Sequence, residues 1–173
     1  RFKDKHSSLF TFSSNKSDGY RYNTDFINNF IFLKSEIKTP KNPIQIISGF
    51  NEKKFGANGF YAIPTAIDQY EETQASFFGI KTFFEKNNLL FKPKFYWRRG
   101  QDEYIYIRNN PSVYRNLHIS NKFYFDFDFS KFYDSRSINF GLNLSKSIIS
   151  RNNLGDHERF TSPLYADYSI ESK

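Results

Sequence analysis

Hydrophobic and polar residues alternate over residues 117–130. Leu117, Ile119, Asn121, Phe123, Phe125, Phe127 and Phe129 take the odd positions, and His118, Ser120, Lys122, Tyr124, Asp126, Asp128 and Ser130 the even ones. A period of two is that of an extended strand whose side chains point alternately to opposite faces. After the turn residues 133–136, Ile138, Phe140, Leu142, Leu144 and Ile148 share one parity, and Ser137, Asn139, Gly141, Asn143, Ser145 and Ser147 the other. The two stretches predict a long hairpin.

The same alternation places Leu89, Phe91, Pro93, Phe95 and Trp97 on one face, with the turn 86–88 before them and Phe78, Ile80, Thr82 and Phe84 before that. Phe160, Leu164, Ala166, Tyr168 and Ile170 predict a last strand, and 8–14, 25–37 and 44–50 three further ones. In 25–37 the set Ile27, Ile31, Leu33 competes with Phe26, Phe30, Phe32, which leaves its faces unassigned. The total is about eight strands and no helix. Short turns near 39–43, 86–88 and 133–136 alternate with long loops at 51–72, 100–116 and 151–158. Short turns at one end and long loops at the other are the plan of an outer-membrane β-barrel. Thirteen residues at about 3.3 Å each, tilted by about 45°, rise roughly 30 Å, enough to cross a hydrocarbon core. The competing expectation is a soluble all-β domain with one wet face, but its strands are ordinarily shorter. Ser, Asn, Gly, Asp and Lys on the inner face, against Phe, Leu and Ile outside, suit a lipid-facing wall.

Composition narrows the choice. Of 173 residues 22 are Phe and 12 Tyr, and 25 Lys+Arg against 18 Asp+Glu give a formal charge of +7. That balance admits nucleic acid, anionic lipid or lipopolysaccharide, or acidic ligands as partners. The longest apolar runs are about four residues, such as 30–33, so neither a membrane-spanning helix, which needs about 20, nor a signal peptide is predicted. The absence of Cys removes disulfides, thiolate metal sites and a cysteine nucleophile. With no Met anywhere and a start at Arg1-Phe2-Lys3, the chain reads as an internal piece of something longer.

Little of the remaining chemistry has a recognisable arrangement. His6, His118 and His157 share no metal-ligand spacing, so they read as surface or lumen histidines and no metal site is expected. No HExxH, GxSxG or phosphate-loop motif occurs, so no catalytic residues and no cofactor are expected. Asp126 and Asp128 share a strand face and could suit a cation or paired acid–base work, but read more simply as solvated lumen carboxylates near Lys122. Arg98, Arg99 and Arg108, interleaved with Tyr96, Trp97, Tyr104 and Tyr106, have the composition of a patch that stacks on single-stranded nucleic acid. At a strand end entering a long loop they fit an interfacial aromatic girdle better, with the arginines toward lipopolysaccharide phosphates or the barrel mouth, and no nucleic-acid partner is expected. Gly56 and Gly59 read as turn glycines.

Five segments resemble TonB-dependent outer-membrane receptors, close to the cobalamin and siderophore receptors: GFNEKKFGANGFY (49–61), DQYEET (68–73), KFYWRRGQDEY (94–104), NPSVYRNLHISN (110–121) and SRNNLGDHERF (150–160). The resemblance runs from about Gly19 to the end and implies that residues 1–173 are part of a 22-stranded barrel in the bacterial outer membrane, without its plug domain. It further implies a receptor that takes up a scarce small-molecule ligand, such as cobalamin or a ferric siderophore, with energy from the TonB complex acting through the plug. No ligand residue carries over position by position. Tyr61, Arg98, Gln101, Tyr104 and Tyr114 are ligand-contact candidates only as rings and planar or polar groups at loop bases. The expectation of another class is a small, complete eight-stranded outer-membrane barrel with a structural or adhesion role.

Overall fold

The computed structural model describes residues 5–39, 42–61 and 63–170. They form one antiparallel sheet and no helix. Its strands are β1 (His6–Ser17), β2 (Phe26–Ile37), β3 (Ile44–Gly56), β4 (Tyr70–Thr82), β5 (Phe84–Lys86), β6 (Leu89–Ile105), β7 (Arg115–Tyr133), β8 (Arg136–Arg151), β9 (His157–Thr161) and β10 (Leu164–Ile170). The sheet order is β1-β2-β3-β4-β6-β7-β8-β10, with β5 beside β6 and β9 beside β8. It is an open meander, in which β1 and β10 do not pair among the described residues.

Ten assigned strands are eight physical ones, as the alternation predicts. β5 continues β4 in one register along β6, Lys81 facing Lys94 and Phe84 facing Phe91. The break falls beside Pro93, which has no N–H to give the ladder. β9 likewise continues into β10 along β8, Thr161 facing Ser145 and Leu164 facing Leu142, with Pro163 at the interruption. Asn87 and Asn88 both have positive φ, 51° and 60°, the two-residue hairpin turn that asparagine tolerates.

The strands run further into the long connections than expected. The loops are residues 57–69, 106–114 and 152–156, because the alternation continues above the apolar run in charged form. Glu52 and Lys54 of β3 lie in register with Gln74 and Glu72 of β4, and Gln101 and Glu103 of β6 follow on the same face. Hydropathy alone reads such residues as loop.

The sheet is a single layer with almost no core. Among the described residues only Ala57, Ala66 and Ile105 are buried hydrophobics. The accessible surface is 12117 Å², against about 8900 Å² for a compact protein of this mass. The face carrying Phe123, Phe125, Phe127 and Phe129 holds a continuous ring cluster: Phe91 lies 4.5 Å from Phe129, and Phe95 lies 4.9 Å from Phe125 and 6.3 Å from Phe78. Phe125 is still 41% exposed and Phe140 43%.

The apolar band crosses the sheet on a slant. Thr11, midway between Phe10 and Phe12 of β1, is carried by the register through Phe32, Gly49, Phe77, Arg98 and Lys122 to Ser147 of β8. Asp167, at the centre of the apolar run of β10, faces Asn139, eight residues below Ser147. Eight residues over seven strand steps is about 1.1 per step, which at about 3.3 Å per residue and 4.8 Å between strands is a slant of about 37°. Strands of membrane barrels tilt by about 35–45°.

The opposite face carries Lys, Asp, Ser, Asn and the glycines. Gly49, Gly79 and Gly141 each sit directly across from a ring, of Phe77, Tyr96 and Tyr165 respectively, and a Cβ at Gly49 or Gly141 would collide with that ring. Bare glycine backbone covered by a cross-strand aromatic is a device of curved sheets. The register also settles β2. Ile27, Ile31, Leu33 and Ile37 join the apolar face, while Phe30 and Phe32 lie on the glycine face, Phe32 at 6.3 Å from Phe77. The glycine face is therefore aromatic at this edge and not polar throughout.

Candidate ligand-binding face

On the glycine face, one register row is made of small groups: Asn51, Ala75, Gly100 and Ser120 lie across from one another on β3, β4, β6 and β7. The row below carries Phe77, Arg98 and Lys122, and the row above Lys53, Thr73, Asp102, His118 and Arg151. Small side chains between two rows of long ones leave a trough. A concavity of about 320 Å³ occupies it, lined by Asn51, Thr73, Arg98, Asp102, His118 and Ser120 among others.

Above the trough the long loops interlock. Gln69 is 0% exposed; its Nε2 donates to the Tyr104 hydroxyl at 2.7 Å and its Oε1 accepts from the Tyr61 N–H at 3.2 Å. Tyr61 and Tyr104 meet edge to face at 5.6 Å, and Tyr104 and Tyr114 at 6.1 Å. The Tyr61 hydroxyl is hydrogen-bonded to Glu71, and burial with that carboxylate raises the phenol far above its usual range. Burial also raises the Glu71 carboxyl above the usual glutamate range, Asp102 adding to it and the Tyr61 hydrogen bond and Lys53 opposing it.

A second clamp ties three connections together. Arg108 donates to both carboxylate oxygens of Asp25, at 2.6 and 2.9 Å, and lies 4.5 Å from the Tyr70 ring centroid. The hydrogen bond from Arg108 holds the Asp25 carboxyl below its usual range. Asn23 Nδ2 donates to the carbonyls of Ile67 and Gln69 at 2.8 and 2.6 Å, and the Tyr22 hydroxyl donates to Asp68 at 2.5 Å. The long-loop end is thus a built cap.

Of the five candidates, Tyr61, Tyr104 and Tyr114 come together in this cap, and Arg98 lies in the trough beneath it. Gln101 is also among the residues bordering the concavity, but its register row belongs to the other face, where its Oε1 accepts from Arg99 Nη2 at 3.0 Å. Its shared parity with Trp97 carries that signal in the sequence. Gln69, Glu71, Asp102, Lys122 and Arg151 escape sequence reasoning because their neighbourhood is set by pairing across strands. His118 joins the trough, and no group of three or more potential metal ligands occurs among the described residues.

The arginine–tyrosine patch does not assemble. Arg98 and Arg99 point to opposite faces and Arg108 is spent on Asp25. Asp126 and Asp128 do share a face, but their cation is Lys94, at 2.9 Å from each, while Lys122 lies over the Tyr124 ring. Compared with protein-family models, curated proteins and solved structures, the chain matches none of them, and none identifies a TonB-dependent receptor.

Proposed function

We propose that this chain is a stretch of the wall of a transmembrane β-barrel in a bacterial outer membrane, with its ring-bearing face in lipid and its glycine face toward the lumen. The observation that carries the reading is the slanted apolar band. A one-layer sheet leaves that band uncovered, and a soluble domain covers such a face with a second layer. The slant adds what exposure alone lacks, since a horizontal hydrocarbon slab crossing tilted strands produces this drift. Above the band the strands continue into a zone of charged residues and then the cap, an order that supports a cap outside the cell beside lipopolysaccharide.

Within that barrel the chain acts by binding and passage, not by catalysis. The cap and trough are where a small molecule meets the wall, and the quoted segments favour an uptake receptor driven through TonB, with cobalamin or a ferric siderophore as the class of cargo. The small eight-stranded barrel requires β1 to close on β10, and the open edges weigh against it.

Density-gradient separation of the membranes, followed by a urea wash, tests the barrel. The protein is expected in the outer-membrane fraction and extractable only with detergent; recovery as a soluble species overturns the reading. Uptake abolished by a protonophore tests the receptor.

A further inference from the structure

The charges above the apolar band are distributed unequally between the faces. On the lipid-side face three cations are paired: Lys54 lies 3.2 Å from Glu52 and 3.5 Å from Glu72, Arg115 2.5 Å from Glu103, and Lys146 2.9 Å from Glu158, while Arg99 donates to Gln101 and Lys16 has no ion pair among the described residues. Around the trough four cations cluster without an ion pair. Arg98 and Lys122 stand side by side on the lower row, and Lys53 and Arg151 stand at the two ends of the upper row. None of these four has an ion-pair partner among the described residues. Arg151 Nε is buried without a hydrogen-bond acceptor, a state that ordinarily calls for a missing partner. Asp102 is the one carboxylate on the two rows between Lys53 and Arg151.

Arg98 and Asp102 line the hollow of about 320 Å³, with Lys122, Lys53 and Arg151 around it and Glu71 on the row above beside Lys53, so four cations face two carboxylates and give the trough a positive field that low-dielectric walls focus. The rows are four residues apart along each strand, about 13 Å, so one solute with charges at both ends can reach both. Resting on the barrel reading above, we propose that the trough binds an anionic solute, a small molecule carrying two or more carboxylate or phosphate groups. Arg98 and Lys122 grip one end, and Lys53 or Arg151 the other. Gly100 and Ala75 leave room for its body, and Asp102 with His118 supplies polar contacts between.

The test uses the protein in detergent micelles at low salt, with citrate as the anionic probe and spermidine as the cationic one, read by calorimetry. Citrate is expected to bind and spermidine not. Arg98→Gln and Lys122→Gln should each weaken citrate by about 10-fold or more, the loss expected for a hydrogen bond to a charged group. Arg98→Lys should retain most of the affinity, and Lys54→Gln or Arg115→Gln on the opposite face should change it less than about twofold. Spermidine binding as tightly as citrate, or equal losses from both faces, overturns the proposal. Should a trough variant fail to fold, the wild-type comparison of the two probes decides alone. Binding in micelles is independent of where the protein fractionates. A membrane protein that prefers spermidine overturns this inference only, and a soluble one that binds citrate overturns the barrel reading only.

Discussion

Phe125→Arg separates a lipid-facing wall from a wet sheet. Phe125 sits within the apolar run 123–129 of β7, faces Phe95 on β6 and Leu144 on β8, and has its ring 4.9 Å from that of Phe95. In water, a site already 41% exposed loses little beyond the ring contacts, about 0.5–1.5 kcal/mol. In lipid an arginine near the midplane adds about 2–4 kcal/mol. Ile119→Arg is the internal control. Ile119 lies on the same face six residues higher, opposite Gln101 and Ser150. Six residues at about 3.3 Å and a 37° slant rise about 16 Å, beyond the half-height of an apolar wall about 25 Å tall. Ile119→Arg should therefore cost under about 1 kcal/mol, near the value for the interface. The assay is reversible unfolding from lipid vesicles by guanidinium, followed by the fluorescence of Trp97, the chain's single tryptophan, on the same face as Phe125. Equal costs for the two substitutions would refute the face assignment.

Asp126→Asn should cost under about 1 kcal/mol in the same assay, because Lys94 keeps Asp128 at 2.9 Å. Gly141→Leu should cost about 1–3 kcal/mol by displacing the Tyr165 ring and its 2.8 Å hydrogen bond to Asp128, and much of that loss should vanish in a Tyr165→Ala background. Gln69→Ala should open the 57–69 loop to proteolysis, since it strips partners from Tyr104 and the Tyr61 N–H inside a buried site, a loss of about 1–3 kcal/mol. For Glu71 the folded-state value is raised, so protonation favours the docked loop. Its contribution is complete below the ordinary glutamate range and is lost as pH rises through the raised value. Amide-exchange protection across 57–69 should fall over that interval in the native protein, while Glu71→Gln should flatten the dependence.

The strands were legible because each is long and its parity is clean, as in 117–130. β2 was not, since Ile27, Ile31 and Leu33 and Phe26, Phe30 and Phe32 are equally apolar; only the pairing with β3, where Phe32 meets Gly49, assigns its faces. The prolines disguised continuity: Pro93 and Pro163 interrupt hydrogen bonding without shifting the register. The tyrosines of the cap were visible as rings at loop bases. The trough was not, because Asn51, Ala75, Gly100 and Ser120 come from four strands, and no single-strand pattern marks a row that exists only across the sheet. Charge showed the same limit. The sum of +7 does not reveal that Arg98, Lys122, Lys53 and Arg151 gather around one trough.

The slant of the apolar band is the feature on which the account turns, and the absence of native cysteine makes it directly measurable. Spin labels on single cysteines at Phe10, Pro93 and Tyr168, on β1, β6 and β10, can be placed in depth by their relative collisions with oxygen and with a water-soluble nickel complex in lipid vesicles. The account predicts that all three lie deep in the hydrocarbon at nearly one depth, although the register does not align them. Trp97 and Lys146, which do align with Phe10, should be progressively shallower. Equal depth for Phe10, Trp97 and Lys146, or free access of the nickel complex to all sites, would contradict it.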